Sequence, residues 1–228
     1  MSPFVSVVIH SYNRYDFLQN ALKSVYEQTF QDFEIILIND ESTDERYYKN
    51  NFGDKVKQID IRRNKNPRWT GSRQALINVG LEEASGKYVA LLDDDDIWLK
   101  NKLETQIGVM EDNYFQFSST EGFFGLGKFN QEEKYKLYNA EYFNKVLRKK
   151  YRWTKYLKNG KLPKIWNEEF LKVHNCVIKS SAVIEKDLLK TVGGFRGIPS
   201  KSDYDCWLNI IKLRPWVLEI LEISEKSL

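Results

Sequence analysis

The 228-residue chain is poor in several features that mark common protein classes. Its only two cysteines, Cys176 and Cys206, have no further cysteine at metal-ligand spacing. That excludes a disulfide framework and a cysteine zinc site, and it fits a reducing, cytoplasmic setting. Its two histidines, His10 and His174, lie far apart and neither closely follows an acidic run; each is expected to be an ordinary hydrogen-bonded residue rather than a metal ligand. No window approaches the roughly 18 apolar residues of a membrane span, and Met1-Ser2-Pro3-Phe4 lacks a signal peptide's charged and apolar regions, so a soluble chain is expected. Charge of one sign is not in excess either: 35 basic against 32 acidic residues leave +3, too little to indicate nucleic-acid binding from the global balance. No Pro-, Gly- or Ser-rich linker divides the chain, so one domain is the default. The strand-like run at residues 216–223, just before the end, leaves room for this to be the N-terminal module of something longer.

What is present is four consecutive aspartates, Asp93, Asp94, Asp95 and Asp96, directly after the apolar stretch 88–92 and before Ile97-Trp98. Neighbouring carboxylates about 5 Å apart at an effective dielectric near 20 repel by on the order of 3 kcal/mol per pair. A bound divalent cation relieves that repulsion, and ligands of open α/β sheets bind just beyond the carboxyl ends of strands. A solvated acidic turn is the plainer alternative.

Around this run the pattern alternates between strand and helix. Residues 5–9 and 34–38 are short apolar runs rich in β-branched residues, as in strands buried on both faces. Phe17, Leu18, Ala21, Leu22 and Val25 recur at helical spacing, predicting a helix over residues 15–28. Ser42 to Glu45 supply N-cap candidates for a helix that follows. Residues 57–61 read as an edge strand, Gly71 as the start of a helix that Gly86 helps to stop, and 88–92 as a fourth strand. Beyond Trp98 the expectations are a helix over 99–110, strands at 115–118 and 175–179, an apolar loop at 122–127, and helices over 185–191 and 203–212, the former stopped by Gly193-Gly194. Alternating units of this kind give an α/β fold with a Rossmann-like, mostly parallel central sheet flanked by helices.

Four blocks, in order, resemble the family 2 glycosyltransferases of the GT-A fold. They are Val5-Ser6-Val7-Val8-Ile9-His10-Ser11-Tyr12-Asn13-Arg14, the stretch 28–44 ending in Asn39-Asp40-Glu41-Ser42-Thr43-Asp44, the stretch 86–98 with the aspartate run, and Gly193-Gly194-Phe195 followed by Ser202-Asp203-Tyr204-Asp205-Cys206-Trp207. The resemblance implies a single GT-A domain with a nucleotide-sugar-binding half at 1–98 and a smaller, acceptor-binding and catalytic half at 99–228. It also implies a nucleotide-sugar donor, UDP-linked by family default, a glycan or glycoconjugate acceptor, a role in polysaccharide biosynthesis, a Mn²⁺ or Mg²⁺ ion, and inversion at the anomeric carbon.

The same resemblance assigns roles. Asp40 would accept a hydrogen bond from the nucleotide base; Ser11, Tyr12 and Arg14 lie in the first loop around it, and Arg73 would face the diphosphate. Asp93 and Asp95 match the two acids of the Asp-x-Asp pattern and would hold the metal, with Asp93 also near the ribose and Asp94 beside them on the donor. Four identical residues leave the register open by one. A hard cation suits these oxygen ligands better than zinc does. Asp203 matches the catalytic base; helix capping is its structural alternative.

The chain departs from the family pattern in places. Ser202 stands where glutamate is common, which leaves open whether Asp203 or Asp205 is the base, and His10 replaces a usual proline. Two other functions compete with transfer. A non-catalytic nucleotide-sugar or glycan-binding module is compatible with Ser202. A sugar-phosphate nucleotidyltransferase needs a Gly-rich loop after the first strand, where His10-Ser11-Tyr12-Asn13-Arg14 has no glycine. Finally, residues 145–164 carry nine basic side chains and no acid, interleaved with aromatics. This is either a solvated helix face or a surface for a membrane, a polyanion or a phosphate-bearing acceptor.

Overall fold

The computed structural model describes residues 2–62, 76–127, 129–130, 132–198, 200–214 and 218–221. β1 (Val5–Ser11) leads through α1 (Tyr15–Tyr26) to β2 (Phe33–Asn39), and the single turn α2 (Arg46–Lys49) leads to β3 (Val56–Asp60). Next come α3 (Ile77–Glu83), β4 (Tyr88–Asp93), α4 (Lys102–Asn113) and β5 (Phe117–Thr120). A small hairpin, β6 (Phe123–Phe124) with β7 (Lys136–Leu137), precedes α5 (Asn144–Tyr151), β8 (Ile165–Trp166) and α6 (Glu168–Val173). β9 (Val183–Glu185), α7 (Lys186–Thr191), α8 (Ser202–Leu213) and β10 (Leu218–Leu221) complete the series.

The main sheet has the order β3-β2-β1-β4-β9-β5-β10-β8. Its first four strands are parallel. β9 runs antiparallel between β4 and β5, β10 is parallel to β5, and β8 closes the far edge antiparallel to β10.

The central strands lack an alternating pattern because both of their faces are covered. Val5, Val7 and Ile9 of β1 pack with Ile35 and Leu37 of β2 against Leu18, Leu22 and Val25 of α1 and Leu103 and Ile107 of α4. The intervening residues, Val8, Ile36, Ile38, Val89 and Leu91, face the opposite core with Val79 and Leu81 of α3. Each such fully buried aliphatic side chain contributes about 1.5–3 kcal/mol.

Several local expectations change. The N-cap of α2 is Glu45, one of the expected candidates, and it makes no side-chain cap bond, while Asp44 Oδ1 before it accepts from the Arg46 N–H at 2.9 Å. Gly86 does not stop α3, which ends at Glu83; it is glycine because a Cβ there would lie 2.7 Å from the Ser6 backbone nitrogen of β1. Residues 122–127 are not simply a loop, since Phe123 and Phe124 pair with Leu137 and Lys136. Residues 175–179 form no strand; the strand lies at Val183–Glu185, after a 3-10 turn at Lys179–Ser181. Gly193 and Gly194 do end α7, with φ of 80° and 62°. The expected start of the α3 segment at Gly71 falls outside the described residues.

Candidate active site at the ends of β1 and β4

The chain leaves β1 toward β2 on one side and returns from β3 to β4 on the other, so a crevice opens beyond the carboxyl ends of β1 and β4. His10 lies opposite Asp93 in that pairing. The cleft has a volume of about 290 Å³ and is lined by His10, Tyr12, Arg14, Ile77, Asp93, Asp94, Asp95 and Lys179.

The aspartates do not point together. β4 ends at Asp93 in a tight turn in which the Asp96 N–H donates to the Asp93 carbonyl at 3.2 Å, and the turn sends successive side chains in different directions. Asp94 turns inward, where its Oδ2 accepts from Ser11 Oγ at 2.7 Å. Asp96 accepts from Ser180 Oγ at 2.5 Å. Burial pushes both carboxyl groups above the usual carboxylate range, against the hydrogen bonds from Ser11 and Ser180 that favour the charged forms. Asp93, Asp94 and Asp95 all line the cleft, and cations meet them there: Lys179 pairs with Asp93 Oδ1, and Arg14 lies 2.6 Å from Asp95 Oδ2 and 3.3 Å from Asp94 Oδ1.

The other candidate residues are spread more widely. Tyr12 and Arg14 line the cleft. Ser11 supports it from beneath, its hydroxyl buried between Asp94 and, at 2.5 Å, the Tyr47 hydroxyl. Asp40 is fully buried at the end of β2, its N–H donating to the Ser11 carbonyl at 3.0 Å. Behind the cleft wall its Oδ2 faces His10 Nε2 at 3.5 Å. Among the described residues that buried nitrogen has no hydrogen-bond partner. Arg73 lies outside the described residues.

Asp203 is in the first turn of α8 rather than at its N-cap, which is Lys201, and it does not line the cleft. Its Oδ2 accepts from Asn175 Nδ2 at 3.3 Å. The Tyr138 hydroxyl is pushed up by burial and then by Tyr142, Asp203 and Asp96. Ser202 is buried and donates to the Arg196 carbonyl at 2.5 Å. The Gly193-Gly194-Phe195 turn before α8 is clasped to α3 by Asn78, which donates to the Phe195 carbonyl at 2.9 Å and accepts from the Phe195 N–H at 2.8 Å.

Two residues escaped the sequence reading. Lys179 belongs to no recognised block, and Ser180, which accepts from the Asp93 N–H at 3.0 Å while holding Asp96, has no motif either.

Among the described residues no three His, Cys, Asp or Glu side chains form a ready metal cage. What the cleft offers a hard cation is the oxygen pair Asp93 and Asp95. These carboxylates fit such an ion by their chemistry and by what they already hold, since the Lys179 ammonium and the Arg14 guanidinium stand where positive charge is favoured.

In a mostly parallel α/β sheet, a polar crevice at the switch point is where a ligand binds. The glycosyl transferase family 2 model matches residues 6–188, and the chain belongs to that family. It is 40% identical over 131 residues to an uncharacterized glycosyltransferase of Rickettsia bellii, covering 58% of this chain and 18% of that protein. It is 34% identical over 114 residues to the Escherichia coli UDP-Glc:alpha-D-GlcNAc-diphosphoundecaprenol beta-1,3-glucosyltransferase WfgD, covering 50% of this chain and 43% of that one. The chain thus spans less than half the length of these curated relatives.

Among solved structures, S. aureus TarS 1-349 superimposes with a TM-score of 0.65 at 18% identity, over 97% of this chain and 58% of that one. The Pyrobaculum calidifontis mannosyltransferase PcManGT, in complex with GDP-Man and Mn²⁺, does so with a TM-score of 0.63 at 16% identity, over 100% and 59%. The fold is the GT-A fold of these neighbours. No helix among the described residues is long and apolar enough to cross a membrane.

Proposed function

We propose that this chain transfers a sugar, with inversion, from a nucleotide-sugar donor to a hydroxyl of a glycan or glycoconjugate acceptor, with residues 1–98 holding the donor and the remainder holding the acceptor and the base. The observation that carries the reading is the pair of cleft-facing carboxylates, Asp93 and Asp95, at the carboxyl end of β4 beside β1. A UDP-linked hexose is the preferred donor. The E. coli relative, a UDP-Glc-dependent glucosyltransferase, and the TarS complexes with UDP and UDP-GlcNAc support this choice.

In this reading Tyr12 and Arg14 border the nucleotide, and Asp40 backs it through His10. Asp93 and Asp95 would hold Mn²⁺ or Mg²⁺ through their carboxylate oxygens. When bound, the ion supplies Lewis-acid stabilisation of the departing diphosphate. Asp203 takes the proton of the attacking acceptor hydroxyl, a contribution of about 10² to 10⁴-fold in rate. The hydroxyl oxygen bonds to the anomeric carbon as the bond to the diphosphate breaks, on the opposite face, so no covalent enzyme intermediate is needed.

The test is release of UDP from UDP-hexoses with and without Mn²⁺, for the wild type and Asp95→Ala. We expect metal-dependent turnover that the substitution abolishes. Full activity in the variant sinks the metal assignment, and nucleotide binding without turnover returns the chain to the binding-module reading.

A further inference from the structure

Lys179 is the most tightly placed cation of the cleft. The turn that carries it is latched from several sides. Ser180 Oγ accepts from the Asp93 N–H at 3.0 Å and donates to Asp96 at 2.5 Å, and the Ser180 carbonyl accepts from the Trp98 indole at 2.7 Å. Ser181 Oγ pairs with Ser119 Oγ at 2.7 Å and accepts from the Thr120 N–H at 3.1 Å. Both serines are buried, so the lysine stem leaves a fixed base. Its side chain is 20% exposed and ends on Asp93, whereas the Arg14 side chain is 52% exposed and shared between two carboxylates. An ammonium is a compact point charge that seeks the same oxygens as a hard divalent ion. Asp93 has to serve both.

We propose that Lys179 is a resident counter-cation: in the donor-free protein it competes with the divalent ion for Asp93, and when a nucleoside diphosphate enters it passes to the diphosphate, so that ion and nucleotide bind cooperatively. This rests on the donor reading above. The exchange keeps charge paired at each stage. Without donor, the ammonium neutralises a carboxylate that otherwise stands beside three others. With donor, the ion takes over Asp93 and the ammonium meets the new anion. Arg14 remains on Asp94 and Asp95 as the second positive wall. Because coupling between two ligands is reciprocal, an ion that binds poorly alone and well with nucleotide must also tighten the nucleotide by the same factor.

The test is binding, not turnover. Mn²⁺ affinity of the full chain is measured from the electron paramagnetic resonance of free Mn²⁺, and UDP affinity by calorimetry, each alone and in the presence of the other. The proteins compared are the wild type, Lys179→Met, Lys179→Gln and Lys179→Arg. In the two neutral variants Mn²⁺ alone is expected to bind about tenfold more tightly, with the coupling between Mn²⁺ and UDP reduced by the same factor. Lys179→Arg retains a cation and stays near the wild type. A gain in metal affinity is a result that structural damage does not produce. Neutral variants that bind Mn²⁺ alone no better than a wild type that binds both ligands overturn the role of Lys179 and leave the donor reading intact. A wild type that binds neither UDP nor Mn²⁺ overturns both.

Discussion

Arg196 holds Asp205: its Nε donates to Asp205 Oδ2 at 2.6 Å and a second guanidinium nitrogen reaches Oδ1. The pair sits at the start of α8, two residues after Asp203, and its surface position makes it worth little to stability. Its effect is on availability. The Asp205 carboxylate is occupied by a guanidinium, whereas the described partner of Asp203 is the neutral amide of Asn175 at 3.3 Å.

Asp203→Asn is therefore expected to lower kcat by about 10² to 10⁴-fold with donor binding retained. Asp205→Asn should change kcat by less than about tenfold, since it removes an ion pair whose arginine side is exposed. UDP release in the presence of acceptor measures both. Equal losses in the two variants would sink the choice of Asp203.

The first half of the chain was legible because its physics is local. β1, β2 and β4 are covered on both faces and write continuous apolar runs, and α1 writes its stripe of Leu18, Leu22 and Val25. The second half is built from pieces too short to carry a period. β9 has three residues and exists because β4 and β5 receive it from both sides. β6 and β7 have two each, so neither could announce itself in residues 122–127 or near Tyr138. The site divides in the same way. Four adjacent acids are visible as charge density, but which of them face the cleft depends on Ser11 and Ser180, which lie 83 and 84 positions away from the carboxylates they hold. Lys179, one of 35 basic residues, carries no mark until β4 is placed beside it.

Glu34 links β2 to its surroundings. Its Oε1 accepts from Ser6 Oγ at 2.6 Å, from the Ser85 N–H at 2.8 Å and from Ser85 Oγ at 2.7 Å. Burial pushes its carboxyl up, but these hydrogen bonds and the Lys57 charge together hold it below the usual glutamate range. A carboxylate whose folded pKa is depressed contributes stability above its unfolded pKa and loses it as pH falls through the folded value. Glu34→Gln is thus expected to destabilise the protein by about 1–3 kcal/mol near pH 7 and by much less near pH 3. Urea unfolding at the two pH values measures the difference; a gap that does not close in acid would show that the charge of Glu34 is not what matters.

The basic stretch forms one wall of the second half. Leu147 and Tyr151 anchor α5 in the core, where Tyr151 stacks on Phe170 at 4.6 Å and its hydroxyl donates to the Phe170 carbonyl at 3.0 Å. That leaves Lys145, Arg148, Lys149, Lys150 and Arg152 exposed. Arg152 lies 4.8 Å over the ring of Trp153, itself 88% exposed. A solvated face needs no exposed tryptophan, whereas a surface that meets a phosphate-bearing acceptor uses both the ring and the charges. Replacing Lys149, Lys150 and Arg152 together by alanine is expected to raise the KM for a phosphate-bearing acceptor by up to about a hundredfold, at about 1 kcal/mol per basic residue. The KM for the donor and the thermal midpoint should stay near wild type, since these side chains lie away from the cleft lining and the core. Added salt should weaken acceptor use by the wild type and leave the triple variant almost unchanged, because only exposed charges are screened so readily. An acceptor KM that does not move in the variant would show that this face has no part in acceptor capture.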